Sequence, residues 1–312
     1  MKRIAAMFGV VLGLIAGAAQ AVPSNMFVFG DSLMDTGNLY IATSSGGTPT
    51  PTSPPYFNGR FSNGPVFAEL IAGTYGITLT PSLLGGNNFS WAGAQTGTGV
   101  SSGFIPNVQT QIGSFISSRP GGAADPNAVY WIEGGGNDVL PASQSANLPA
   151  AIGGIVSNIA TEIVTLANSG AKNFVIVNVP DVGATPRVQA MGPAAAAGAT
   201  GITMAINQGL LQVLAMISGS DPSLKLQLLD LYGIGSMVAA NPLAYGFTNT
   251  KDACLTETSL CSNPDQYLYW DSFHPTAAVG RLVAAVYIPE PSTLLLLLLP
   301  IAAIGYSTRR SS

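Results

Sequence analysis

The segment Phe174-Val-Ile-Val-Asn-Val carries β-branched residues without apolar–polar alternation and is closed off by Pro180. A strand with no polar face has to be covered on both sides, which is the situation of a parallel sheet between two helical layers. Met26-Phe-Val-Phe-Gly, Ala128–Glu133 and Leu224–Leu231 read as further strands of this kind, with another expected around Asn87–Trp91. Between them, apolar residues recur at helical spacing over Pro65–Tyr75, Val108–Ile116, Leu148–Asn168, about Ala194–Met216 and Ala277–Tyr287. Strands that alternate with helices predict an α/β domain with a parallel sheet covered on both faces. In such sheets ligands bind beyond the carboxyl ends of the strands. Ser44–Pro55, rich in Ser, Thr, Gly and Pro, reads as a long loop.

Both ends of the chain read as addresses rather than fold. Met1–Ala21 has Lys2 and Arg3, an apolar stretch from Ile4 to Ala18, and Ala19-Gln20-Ala21, the pattern of a secretory signal cleaved before Val22. The alternative, an N-terminal membrane helix, asks for a longer apolar run. At the other end Pro289-Glu-Pro-Ser-Thr leads into Leu294–Ile304 and then Arg309 and Arg310. That run is well short of the ~20 residues of a membrane span. Its order resembles the PEP-CTERM sorting signal of Gram-negative bacteria, which implies an exosortase-type processing enzyme as partner. A marginal C-terminal anchor is the alternative, and the only membrane contact expected is through this tail. The expected organisation is thus a signal over 1–21, one catalytic-sized domain over 22–288 and a sorting or anchor segment over 289–312. It places the protein in the periplasm, on the outer surface or in the extracellular matrix.

Charged residues make up only 8% of the chain, against a typical ~25%. A net charge of −4 with no basic cluster argues against nucleic acid as a partner. Cys254 and Cys261 suit an exported protein as a disulfide closing a short loop, with two free thiols as the alternative. One His and two Cys are too few to assemble an ordinary zinc site, so no metal or other cofactor is implied.

The chemistry collects in loops that follow the strands. His274 is the only histidine, three residues after Asp271 in Trp270-Asp-Ser-Phe-His-Pro-Thr. An Asp at that spacing can fold back through a tight turn, accept from Nδ1–H and leave Nε2 free as a base. Gly30-Asp31-Ser32-Leu33 places Ser32 at a strand-to-helix turn, where Gly30 permits the bend and a following helix N-terminus would favour a developing anion. Taken alone, such a serine is more often a helix cap than a nucleophile. Gly93 and Asn137 occupy the loops after the next two strands, where either could be an ordinary turn residue. The Ser32 N–H, the Gly93 N–H and the Asn137 amide together would form an oxyanion hole.

These four segments, in this order, resemble the GDSL, or SGNH, hydrolase family, whose letters name the Ser, Gly, Asn and His found here as Ser32, Gly93, Asn137 and His274. Gly30-Asp-Ser-Leu-Met-Asp-Thr-Gly-Asn, Gly59-Arg-Phe-Ser-Asn-Gly and Asn178-Val-Pro-Asp-Val-Gly-Ala-Thr-Pro extend the resemblance towards the plant-type branch and its bacterial lecithinase and haemolysin relatives. It covers about Met26 to Tyr287 and departs from the family at Ala92, where relatives often have a second glycine. The resemblance implies a three-layer α/β/α sandwich with a parallel five-stranded, flavodoxin-like sheet. It also implies a serine esterase in which Ser32 attacks, His274 moves the proton and Asp271 orients the His. Asp31, Asp35, Asn38, Ser62, Asn63 and Asp138 are expected to brace the loops. The substrate expected is a lipid or acylated saccharide ester. Alternatives are a carbohydrate acetyl esterase acting on exopolysaccharide and a non-catalytic surface protein that binds matrix.

Overall fold

A computed structural model describes residues 22–287; the expected signal and sorting segments lie outside them. Four parallel strands form the central sheet: β1 (Met26–Phe29), β2 (Val129–Glu133), β3 (Asn173–Val177) and β4 (Lys225–Leu229), paired in that order. Met26 faces Val129, Val129 faces Asn173, and Asn173 faces Lys225, so the strands start and end level with one another.

A fifth position at the β1 edge is filled by residues 87–91, which make a single parallel bridge to β1, between Val28 and Asn88, rather than a regular strand. Val28 N–H donates to Asn87, Phe89 N–H to Val28, and Trp91 N–H to Gly30, at 3.1, 2.7 and 3.0 Å. The expected fifth strand is thus an irregular edge. Asn87, Asn88 and Ser90 are poor strand formers, and Asn88 spends its side chain on Met34 carbonyl and Ser90 N–H.

Successive strand residues feed opposite cores. Phe27, Phe29, Tyr130, Ile132, Phe174 and Ile176 pack with helices α3 (Val108–Ser117), α4 (Leu148–Asn168) and α5 (Pro193–Ser220). Met26, Val28, Trp131, Val175 and Val177 pack with α2 (Phe67–Thr74), α6 (Leu231–Ala240) and α7 (Ala277–Tyr287). Helices on both faces give the three-layer arrangement, and burial on both faces explains why the strands show no alternation. A short helix, α1 (Asn38–Ser44), follows β1, and residues 45–66 make a long excursion before α2.

Near the C-terminus, Asn249–Ala253 pairs in parallel with Tyr267–Tyr269, and Cys254 and Cys261 form a disulfide with Cα atoms 4.9 Å apart. Cys254 N–H and Leu255 N–H donate to the Tyr269 and Trp270 carbonyls. The bridged loop therefore braces the chain just where it enters the Asp271–His274 turn.

Candidate active site

The ends of three neighbouring strand positions supply one side of the site. Ser32 follows β1, Asn137 follows β2, and Gly93 follows the irregular edge 87–91. They meet beside β1, where the chain order of the strands reverses from one side to the other, the place at which open α/β sheets bind ligands. His274 and Asp271 come to the same place from the loop between Tyr269 and α7.

The turn that presents Ser32 is held from below. Gln111, buried on α3, accepts from Gly30 N–H and donates to Gly30 carbonyl, both at 2.9 Å, so both backbone groups of Gly30 are bonded without continuing the strand. Asp31 and Asp35 N–H groups turn the chain by bonding to Glu133 Oε2 and Asp31 carbonyl respectively. Gly30 is required by crowding: a Cβ there would sit 2.8 Å from Glu133 Oε2 and 3.0 Å from Met34 Cε. The expected helix N-terminus is absent at Ser32. Helix α1 starts six residues later, and Asp35 takes its end by accepting from the N–H groups of Gly37, Asn38 and Leu39.

The Asp271–His274 turn has the folded-back form expected from its spacing. Asp271 Oδ1 accepts from Phe273 N–H at 2.8 Å and His274 N–H at 2.7 Å. His274 Nδ1 lies 2.7 Å from Asp271 Oδ2 and 2.9 Å from Oδ1. On the other side of the ring, Nε2 lies 2.9 Å from Ser32 Oγ. Burial works to raise the Asp271 carboxyl, but His274 and the bonds from the ring and the turn outweigh it and hold the group at about 2. Asp271 is therefore an anion at any pH where an imidazole can act as a base.

Among the described residues, neither the Ser32 N–H nor the Gly93 N–H donates to another group. Gly93 has φ +86°, a left-handed backbone that suits glycine. Asn137 is differently placed: its Nδ2 donates to Asp31 Oδ2 at 3.0 Å and to Ala94 carbonyl at 2.9 Å, so both protons are engaged. A cavity of about 680 Å³ opens onto Ser32, Gly93, Asn137 and His274. Its walls are mainly apolar, with Leu39, Ile105, Leu140, Ile234, Val279 and Val283 among them.

The bracing groups behave as expected and bring unforeseen partners. Asp138 accepts from Thr96 N–H and Oγ1, Asn38 spans the Asn88 and Ser90 carbonyls, Ser62 Oγ donates to Pro275 carbonyl, and Asn63 Oδ1 accepts from Ala277 N–H. Glu133, 1% exposed, lies directly beneath the Ser32 turn. Burial, and then the neighbouring Asp31, push its carboxyl well above the usual range, while burial raises Asp31 as well. Asp31 accepts from Leu33 N–H and from the Asn137 amide, bonds that favour its charged form and oppose that rise.

Farther in, burial raises Glu162 to about 8 and Asp138 to about 6. Such carboxyls contribute stability that is complete below the ordinary range of about pH 4 and is lost as the pH rises through their folded-state values. Asp271 acts in the opposite sense, and its contribution disappears only as the pH falls towards 2. The stability of the protein should therefore peak near pH 4 to 5 and decline up to about pH 8, each raised group contributing roughly 1.4 kcal/mol per pH unit only between its ordinary value and its folded-state value, about 6 for Asp138 and about 8 for Glu162. Thermal denaturation across that range checks this; a melting temperature that climbs from pH 5 to 9 would contradict it.

A family model described as GDSL-like lipase/acylhydrolase matches residues 26–286. The chain belongs to this family. Among its relatives is a GDSL esterase/lipase of Arabidopsis thaliana, 27% identical over 333 aligned residues, covering 88% of each protein. A GDSL lipase of Tanacetum cinerariifolium is 25% identical, covering 84% of this chain and 82% of its own length. A phosphatidylcholine-sterol acyltransferase of Aeromonas hydrophila is 28% identical, covering 79% of this chain and 71% of its own. This GDSL protein is accordingly a hydrolase of ester bonds.

Proposed function

We propose that the protein is an exported serine hydrolase of lipid-type carboxylic esters, with Ser32 as nucleophile, His274 as proton carrier and Asp271 as the group that orients it. The observation that supports this most directly is the unbroken chain from Ser32 Oγ to His274 Nε2 at 2.9 Å and from Nδ1 to Asp271 Oδ2 at 2.7 Å. His274 takes the serine proton as Oγ adds to the ester carbonyl, then gives it to the departing alcohol. Water, deprotonated by the same imidazole, releases the acid. The unspent N–H groups of Ser32 and Gly93 receive the carbonyl oxygen as it becomes negative. Asn137 joins them by giving up its bond to Ala94 carbonyl, while Asp31 keeps the other amide proton and with it the side chain's orientation.

The apolar cavity favours an acyl chain over an acetyl group as the part bound beside Ser32. Each methylene taken from water is worth ~0.8 kcal/mol, roughly fourfold in binding. For p-nitrophenyl esters hydrolysed by the full-length protein, kcat/KM should rise by at least tenfold from acetate to the medium chains. Acetate as the best substrate would return the reading to a carbohydrate acetyl esterase. Export, the 1–21 signal and the 289–312 sorting segment complete the proposal, and the Cys254–Cys261 disulfide is in keeping with an oxidising destination.

A further inference from the structure

Tyr56 belongs to the long excursion between α1 and α2, 215 residues away in sequence from Asp271, yet its hydroxyl donates to Asp271 Oδ2 at 2.7 Å. Oδ2 is also the oxygen closest to His274 Nδ1. The two backbone donors of the Asp271–His274 turn both go to Oδ1. Apart from the imidazole itself, Tyr56 is thus the group that fixes Oδ2. A carboxylate pinned at one oxygen can still rotate about its Cβ–Cγ bond and carry the other towards water.

The ring of Tyr56 is held edge-on against Trp270, with centroids 6.1 Å apart, and against Phe61, at 5.9 Å. Phe61 in turn packs on the His274 ring, 4.8 Å between centroids. Burial and the Asp271 charge hold the Tyr56 phenol well above its ordinary range, so it remains a donor throughout the working pH range. Tyr56 does not line the cavity, whereas Phe61 does.

We propose that Tyr56 is a positioning residue for the reaction: its hydroxyl keeps Asp271 Oδ2 facing His274 Nδ1, and the imidazole is thereby kept in the tautomer that leaves Nε2 open to the Ser32 proton. The inference rests on the Ser32–His274–Asp271 reading. Because Tyr56 acts on the orienting group and stays outside the cavity, its loss belongs in kcat and leaves KM alone.

His274 is the only histidine in the chain, so its ring nitrogens give the only imidazole signals of the full-length protein and need no assignment. In the wild type, nitrogen-15 spectra above the imidazole titration should show the Nδ1–H tautomer. Tyr56→Phe keeps the aromatic packing and removes one hydroxyl. It should lower kcat about tenfold, the scale of one hydrogen bond to a charged group, with KM within about twofold, and it should introduce the Nε2–H tautomer. Tyr56→Ala should share this loss of kcat. Unchanged kcat and an unchanged ring spectrum in Tyr56→Phe would overturn the proposal, as would a defect confined to Tyr56→Ala, which would make the role one of packing. A Tyr56→Phe protein unable to fold would also overturn it, by assigning the hydroxyl to the fold. Ser32→Ala measured alongside separates the two levels of inference. If it keeps turnover, the catalytic reading fails; if it is inactive while Tyr56→Phe is normal, only the role of Tyr56 does.

Discussion

Ser32→Ala should remove ester hydrolysis almost completely, with kcat lower by roughly 10⁴ to 10⁶, the range seen when a nucleophile of this kind is deleted. The hydroxyl is the only part of the side chain removed, and it makes a 2.9 Å contact with His274. The turn itself is built from backbone and from Asp31, Glu133 and Gln111, none of which depends on the Ser32 hydroxyl. The variant should consequently fold and melt like the wild type and still bind ester, so KM, where measurable, changes little. Hydrolysis of a medium-chain p-nitrophenyl ester is the measurement. A Ser32→Ala protein retaining a tenth of the activity would leave Ser32 without a role in bond breaking.

Asp271→Asn should cost roughly 10³ to 10⁴ in kcat, for a reason that is geometric as well as electrostatic. The asparagine carbonyl can still accept the Phe273 and His274 N–H groups that Asp271 Oδ1 accepts now, so the turn survives. Its NH₂ would then face Nδ1 in the place of Oδ2. A donor opposite Nδ1 selects the Nε2–H tautomer, whose proton points at Ser32 and leaves the hydroxyl without a base. The loss should appear in kcat with an intact fold, as judged by circular dichroism. Activity within tenfold of wild type would mean that the carboxylate does not govern the ring.

The regular parts of the fold were legible because burial on both faces leaves a plain mark in the sequence. Helix α4 spans Leu148–Asn168 and α7 Ala277–Tyr287, the bounds that apolar spacing suggested. Helix α6 was not foreseen: Gly233 and Gly235 lower its intrinsic preference, and it forms because Leu231 and Ile234 complete the second core. Ser32, Asp271 and His274 could be picked out because each sits in a short local pattern, and the structure brings them within hydrogen-bonding reach. Glu133, Gln111 and Tyr56 gave no such signal. An acid at the end of a strand, a glutamine on a helix and a tyrosine in a long loop are commonplace, and their importance comes from contacts across 81 to 215 residues of chain. The one local hint for Glu133 was a carboxylate closing an otherwise apolar strand, a position where a charge is hard to keep.

The excursion that holds Tyr56 also contributes Phe61 and Ser62 to the cavity wall. Selectivity and turnover are thus written into the same excursion, which limits how freely this enzyme could be diversified. Exchanging the loop for that of a relative, the obvious route to a new substrate range, would also exchange the brace on Asp271. Variation at lining residues that other segments contribute outside the cores, such as the half-buried Leu140 or the exposed Pro141, leaves that brace alone and is the more open path for laboratory evolution.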